Sequence, residues 1–249
     1  MTECWAACRV RLATRCNARI ENNLRKLILS GLIDPIDLLT RLPVVLLALT
    51  IHECSHAYCA YRMGDPTAYR LGRVSLNPLR HLDPLGTICL LFAPIGWAKP
   101  VPVNPLNFDD PRKGDLVTTA AGPGSNLVQA LVWALLLRGV LYWWPDTGAS
   151  LTGSLHVRAA AGELCYYGTV INVGLAVFNC LPLYPLDGFH IFLQLTKRES
   201  QERFAATAAY GPFAIIGLVL LGRIGKTDIL SSLINPPARF ILQHVAGWV

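Results

Sequence analysis

Charge is what this sequence has least of. Of its 249 residues only 15% are Asp, Glu, Lys or Arg, while 53% are hydrophobic and the mean hydropathy is +0.40. An ordinary soluble domain carries roughly a quarter charged residues. The balance excludes a disordered chain, which needs low hydrophobicity and high net charge. The length excludes a disulfide-stapled mini-protein. There is no internal repeat, no low-complexity segment, no zinc-finger spacing and no interleaving of aromatic and basic residues. The net charge of +6 therefore does not call for a nucleic-acid partner, and the basic loops of a membrane protein account for it. What remains is a membrane protein or an unusually apolar soluble enzyme. At about 20 residues per span, the length allows about four to six spans.

The first 23 residues lack an apolar run, so they do not read as a secretory signal peptide; they read as a basic arm carrying Arg9, Arg11, Arg15 and Arg19. Cys4, Cys8 and Cys16 fall in this arm at no recognisable metal spacing and read as free thiols. Cys54, Cys59, Cys89, Cys165 and Cys180 lie in apolar stretches, where a thiol behaves as a small hydrophobe. The apolar stretch Leu27–Ile33 is too short to span and suggests an interfacial helix within residues 24–41. From Pro43 to Tyr61 the only ionisable groups, tyrosines aside, are His52, Glu53 and His56. Pro43 suits the first position of a helix. Residues 69–105, broken by Pro78, Pro84, Pro94 and the run from Pro100 to Pro105, predict extended segments and loops lying at the membrane, with a hairpin as one form. Leu116–Leu137, Leu164–Leu186 and Phe204–Gly222 are uncharged runs of span length, the last interrupted by Gly211 and Pro212. Ile229–Val249 reads as a short span or a surface helix.

Basic residues number seven in 62–113 and three in 197–203, against two in 138–158. The basic loops go to the cytoplasm, so the helix bearing His52 runs inward, Leu116–Leu137 returns outward and Leu164–Leu186 comes back. The arm then lies outside unless residues 24–41 re-enter or rest on the cytoplasmic face; both placements stay open.

Two polar constellations interrupt the apolar background. His52, Glu53 and His56 form an HExxH pattern. On a helix, residues i and i+4 share a face, so both imidazoles can hold one zinc ion, and Glu53 lies beside that face. Ionisable groups inside an apolar span are costly and normally functional. The second constellation runs from Phe178 to Phe189. Asp187 is the only carboxylate between Glu163 and Glu199, and Pro182 and Pro185 must break the helix before it. Irregular backbone of this kind is tolerated in a membrane only where it is buried in protein or lines a cavity. Two histidines, one carboxylate and an open fourth position make a catalytic zinc set, and Asp187 is the candidate third ligand.

On these residues the sequence resembles the site-2 protease family of intramembrane zinc metalloproteases. The resemblance rests on Ile51–Ala57 and Asn179–Gly188. It is supported by Gly64–Pro66, Ser75–Pro78, Asp83–Gly86, Gly96–Pro100 and Ala121–Asn126, in the family's order across about residues 43–190. It implies an all-α polytopic membrane protein with a three-helix catalytic core, membrane-associated extended or hairpin segments, and one or two C-terminal membrane helices. The implied organisation is a basic arm and interfacial helix over 1–41, a metalloprotease core over 42–190 and C-terminal membrane helices over 191–249. By the same resemblance His52, His56 and Asp187 hold one zinc ion per chain and Glu53 is the general base. Asn179 and Asn126 contact the substrate, and residues 70–105 offer it an extended edge. Gly122, Gly124 and Ser125 let helices approach closely. Phe189 stands where many relatives carry a second glycine. No insertion is long enough for a PDZ or CBS module. The implied activity is hydrolysis of a peptide bond in a transmembrane protein near the cytoplasmic face, by a multi-pass protein of the prokaryotic plasma membrane. A membrane-anchored regulator or leftover signal peptide is the implied substrate class. On the residues alone two rivals stay open: a non-proteolytic zinc-binding scaffold or chaperone for membrane helices, and a soluble zinc protease with an apolar core.

Overall fold

The structure, a computed structural model, describes residues 35–92, 96–143, 152–224 and 229–247. The basic arm with Cys4, Cys8 and Cys16, and most of the expected interfacial helix, lie outside them. The helices are α1 (Pro35–Arg62), α2 (Thr67–Arg70), α3 (Pro84–Phe92), α4 (Pro111–Trp143), α5 (Thr152–Asn179), α6 (Asp187–Leu195), α7 (Arg198–Ala206), α8 (Gly211–Ile224) and α9 (Ile229–His244), with short 3-10 turns between some of them. No strand occurs among the described residues, so the fold is all-α.

Among the described residues three helices are long and apolar enough to cross a membrane: Arg41–Arg62 within α1, the whole of α4, and Ala160–Asn179 within α5. At 1.5 Å per residue the shortest of them extends about 30 Å, the thickness of a bilayer's hydrocarbon. Each presents one buried stripe at helical spacing. On α1 it is Val44, Ala48, His52, His56 and Ala60; on α4 it is Thr118, Gly122, Asn126, Ala130 and Ala134; on α5 it is Cys165, Thr169, Asn172, Val173 and Ala176. These residues are small or hydrogen-bonded, and small residues let helix backbones approach where lipid offers no hydrophobic drive. Gly168 of α5 shows the tightness: a methyl there would fall 2.3 Å from the indole of Trp133 on α4. The opposite face of α4 carries Leu127, Val128, Leu131, Val132, Leu135 and Leu136, each at least 42% exposed. Such a patch suits lipid and would be unusual in water.

Several boundaries differ from expectation. The first described helix is Pro35–Arg62, and Pro43 lies inside it rather than at its start. Among the described residues of 69–105, loops and turns are present as expected, and strand pairing is limited to one antiparallel bridge, Leu82 to Ala98. Residues 84–92 are helical, because Pro84 occupies a first-turn position and the stretch after it is uninterrupted and apolar. The apolar run Leu164–Leu186 leaves the helix at Asn179, ahead of Pro182. Phe204–Gly222 is divided among α7, a 3-10 turn and α8.

Residues 63–92 and 96–110 form a strap at the end of α1. Buried Asp65 is its clasp. One carboxylate oxygen accepts from the Thr67 amide (3.0 Å) and hydroxyl (2.5 Å) and from the Asn107 side chain (2.8 Å); the other accepts from the Asn104 amide (2.7 Å). Burial alone would push this carboxyl up, but the hydrogen bonds from Asn107, Thr67 and Asn104 hold it below the usual carboxylate range. At the far end α9 closes the bundle, where Leu242 and Ala246 pack with Ala134, Leu137, Cys165 and Tyr166 of α4 and α5.

Candidate metal centre

His52 and His56 sit on the buried stripe of α1 because four residues return to the same helical face. Their Nε2 atoms lie 3.1 Å apart. Asp187 arrives from elsewhere in the chain. After α5 ends, residues 180–186 reverse direction through tight turns, with Leu183 accepting from the Leu186 amide at 2.8 Å, and Asp187 opens α6. The reversal needs a bare backbone at Gly188, where a methyl would lie 2.3–2.4 Å from the carbonyl oxygens of Leu181 and Cys180. Phe189, the residue after Gly188, is buried and stacks on Phe204 of α7 at 5.0 Å, so α6 is anchored from behind. The result places Asp187 Oδ2 at 3.2 Å from His52 Nε2 and 3.3 Å from His56 Nε2.

These three atoms fit a cation. His52 Nδ1 lies 2.6 Å from Asn126 Oδ1 and His56 Nδ1 lies 2.7 Å from the carbonyl of Thr118. Both acceptors require the proton on Nδ1, which leaves each Nε2 a bare lone pair. Two lone pairs and a carboxylate oxygen then face one another at 3.1–3.3 Å. Asp187 Oδ2 is buried without a hydrogen-bond donor. A metal ion between them would relieve that arrangement. Tetrahedral zinc with bonds of about 2.0–2.2 Å sets its ligands about 3.3 Å apart. Room is left on the α4 side by Gly122, where a methyl would lie 2.3 Å from His56 Nε2 and 2.6 Å from His52 Cε1. His52, His56 and Asp187 are the one such group of His, Cys, Asp and Glu side chains among the described residues.

The surrounding polar groups form a chain into the bundle. Asn126, fully buried, gives its Oδ1 to His52 and its amide to Asn172 Oδ1 at 2.9 Å; Asn172 in turn donates to the Gly168 carbonyl at 2.8 Å. Hydrogen bonds of this kind fix the tautomer and orientation of metal-binding histidines. Glu53 follows His52 on α1, is half-buried, and makes no hydrogen bond to another described residue; its charge is within reach of His52, His56, Asp187 and Arg73. Asn179 closes α5, with its amide donating to the Leu175 carbonyl at 3.0 Å. Gly124 and Ser125 are half-buried on α4, and the Ser125 hydroxyl donates to the Gly122 carbonyl at 2.8 Å.

One residue of this neighbourhood escaped sequence reasoning. Arg73 had been counted only among the basic loop residues that set orientation. It is buried, and its Nη2 donates to the Lys99 carbonyl. No sequence signal distinguishes it from Arg62, Arg70 or Arg80, which are exposed.

Comparison with known proteins agrees with this chemistry. Residues 41–219 match the model of peptidase family M50. The chain is 37% identical over 210 residues to "Putative zinc metalloprotease YwhC" of Bacillus subtilis, covering 84% of this chain and 92% of that one. It is 29% identical over 186 residues to "Putative zinc metalloprotease Rip2" of Mycolicibacterium smegmatis, covering 73% of this chain and 66% of that one. The chain thus spans about two thirds of that mycobacterial relative's length. No solved structure matches the chain. A family match over residues 41–219 and 37% identity to a zinc metalloprotease across most of both chains, together with three side chains placed to hold one metal ion, show that the chain belongs to peptidase family M50 and is a zinc metalloprotease.

Proposed function

We propose that this metalloprotease is an intramembrane endopeptidase that hydrolyses a peptide bond in transmembrane segments of membrane proteins, near the cytoplasmic face. The observation that carries the reading is position: His52 and His56 lie on the buried stripe of α1, a helix long and apolar enough to cross a bilayer, and Asp187 is brought against them from the start of α6. A soluble protease gains nothing from that placement. The catalytic unit is residues 42–190, in a multi-pass protein of the bacterial plasma membrane with its basic loops inward. The C-terminal segment from 191 adds helices to its flank.

His52, His56 and Asp187 are the ligands of one zinc ion. Bound zinc polarises a peptide carbonyl and lowers the pKa of water toward ~7. Glu53, free of protein hydrogen bonds among the described residues, takes the proton of the attacking water and passes it to the leaving amine. Asn126 and the Thr118 carbonyl hold the two imidazoles with Nε2 inward. Asn126 thereby acts through His52, and any contact with substrate is secondary to that. Asn179 holds the substrate backbone beside the scissile bond by exchanging its bond to Leu175 within its own helix for one to the substrate. A helical substrate hides its peptide bonds in i to i−4 hydrogen bonds, so it must unwind locally. The strap and the extended run from Trp97 to Asn104 offer backbone groups that offset part of that cost. Membrane-anchored regulators and leftover signal peptides are the substrate class, and cleavage of the former makes the reaction regulated intramembrane proteolysis.

The test is reconstitution in lipid nanodiscs with a labelled single-span peptide, with and without a zinc chelator. The reading expects chelator-sensitive cleavage at a bond inside the apolar segment, mapped by mass spectrometry. Cleavage confined to soluble peptides would overturn it.

A further inference from the structure

We propose that Asn172 of α5 is a positioning residue for the zinc site, which acts through Asn126 to set which ring nitrogen of His52 faces the metal. The inference rests on the reading above in one respect, that His52 is a zinc ligand. The two imidazoles are held differently. His56 Nδ1 lies 2.7 Å from the Thr118 carbonyl, a backbone group that can only accept. His52 Nδ1 lies 2.6 Å from a side-chain amide, Asn126. An amide has two ends of nearly the same shape, one accepting and one donating. With Nδ2 turned to His52, a donor would meet Nδ1, the ring proton would belong on Nε2, and the lone pair for the metal would be lost. Something must therefore choose the end that Asn126 presents.

The choice is made on α5. Asn172 Nδ2 donates to the Gly168 carbonyl at 2.8 Å. That carbonyl cannot donate, so Asn172 has to turn its Oδ1 the other way. There it accepts from Asn126 Nδ2 at 2.9 Å, which leaves Asn126 Oδ1 for His52. Each link can be read in one direction only, because the chain starts on backbone. A reversed Asn126 would set oxygen against oxygen at Asn172 and donor against donor at His52. Both asparagines are 0% exposed, so water cannot repair either mismatch, and buried polar groups left unpaired are costly. The other determinant is weaker. Asn126 Nδ2 also reaches the Ala48 carbonyl, but at 3.5 Å, and Gln129 Nε2 reaches the same oxygen at the same distance. Polar side chains that bridge membrane helices commonly serve as adhesive alone. An adhesive role would be blind to direction, and the direction of this chain is what makes His52 a metal ligand.

The experiment uses the full chain in lipid nanodiscs. Zinc affinity is read by competition with a chromophoric chelator, beside the unfolding midpoint of the metal-free protein. Asn172→Leu is close to Asn in size and offers neither end of the amide. Asn172→Asp keeps an oxygen toward Asn126 whether or not the carboxyl is protonated. Both are compared with wild type, with Asn126→Ala, and with Asn126→Ala carrying Asn172→Leu as well. The expected result is zinc bound about tenfold more weakly by Asn172→Leu and within about threefold of wild type by Asn172→Asp. The double variant should bind no more than about threefold more weakly than Asn126→Ala, because Asn172 acts only through Asn126. Wild-type affinity in Asn172→Leu would overturn the proposal. So would equal zinc loss in Asn172→Asp and Asn172→Leu, or a further tenfold loss in the double variant, since Asn172 would then only pack the helices. If Asn172→Leu does not insert and fold, Asn172→Ala takes its place with the same expectations. His52→Ala is the control for the ligand itself. Wild-type affinity there would overturn both readings, whereas zinc lost from His52→Ala and kept by Asn172→Leu overturns this one alone.

Discussion

Replacing Gly122 by alanine tests whether α4 shapes the metal site as closely as the coordinates require. The added methyl would lie 2.3 Å from His56 Nε2, 2.5 Å from His56 Cε1 and 2.6 Å from His52 Cε1. Ordinary contact for such atoms is about 3.5–4.0 Å, so about 1 Å must be found. Neither ring can give way cheaply, because His56 is tied to the Thr118 carbonyl at 2.7 Å and His52 to Asn126 at 2.6 Å. Either α1 and α4 part, or the imidazoles turn off their bonds. Overpacking of this kind costs about 1–3 kcal/mol. Metal bonds tolerate about 0.2 Å, so a displacement near 1 Å removes the zinc. The expected outcome is protein that still inserts and folds, with zinc per chain well below one and cleavage reduced at least ~10²-fold. Zinc is read by atomic emission on purified protein, alongside cleavage and unfolding. Gly124 is the control, because a methyl there meets nothing within 4 Å. Gly124→Ala should be neutral or stabilising by up to about 1 kcal/mol. Gly122→Ala with full zinc and full turnover would refute the close approach.

Other outcomes follow from the same contacts. Asn126→Ala leaves the His52 Nδ1–H without its acceptor and should weaken zinc binding about 10–100-fold in a chelator competition, whereas Asn126→Asp keeps an acceptor and should retain more. Gly188→Ala drives a methyl into the carbonyls of Cys180 and Leu181. Because backbone cannot yield, it should misplace Asp187 and abolish zinc binding in the equilibrium-dialysed protein. Asp65→Ala removes the acceptor for Thr67, Asn104 and Asn107. The strap should become protease-sensitive and lose about 1–3 kcal/mol in an unfolding titration, with zinc retained.

How much was legible in the sequence depended on how local each feature is. The histidine pair could be read because helical spacing alone puts positions 52 and 56 on one face. Asp187 could be read because a lone carboxylate follows prolines that must end a span. The place of Pro43 inside a helix and the helix over 84–92 were not legible. Proline is favoured at a helix start without being confined to it, and a short apolar run near prolines satisfies loop and helix alike. The contacts of Gly122 and Asn126 depend on which face of α4 meets α1, and the burial of Arg73 on how the strap folds back. Those are tertiary facts, invisible to spacing. Asn126 was singled out only by resemblance and expected at the substrate, whereas its bond runs to His52.

The central claim is that Glu53, set beside a zinc cradle within membrane-crossing helices, is the base for peptide hydrolysis. It is tested most directly by Glu53→Gln. Zinc per chain would be measured on the purified variant, and the membrane proteome of cells carrying it compared with wild type. The account predicts one zinc ion per chain, no cleavage, and membrane proteins that accumulate uncleaved. A variant that keeps both its zinc and its full peptidase activity would contradict it.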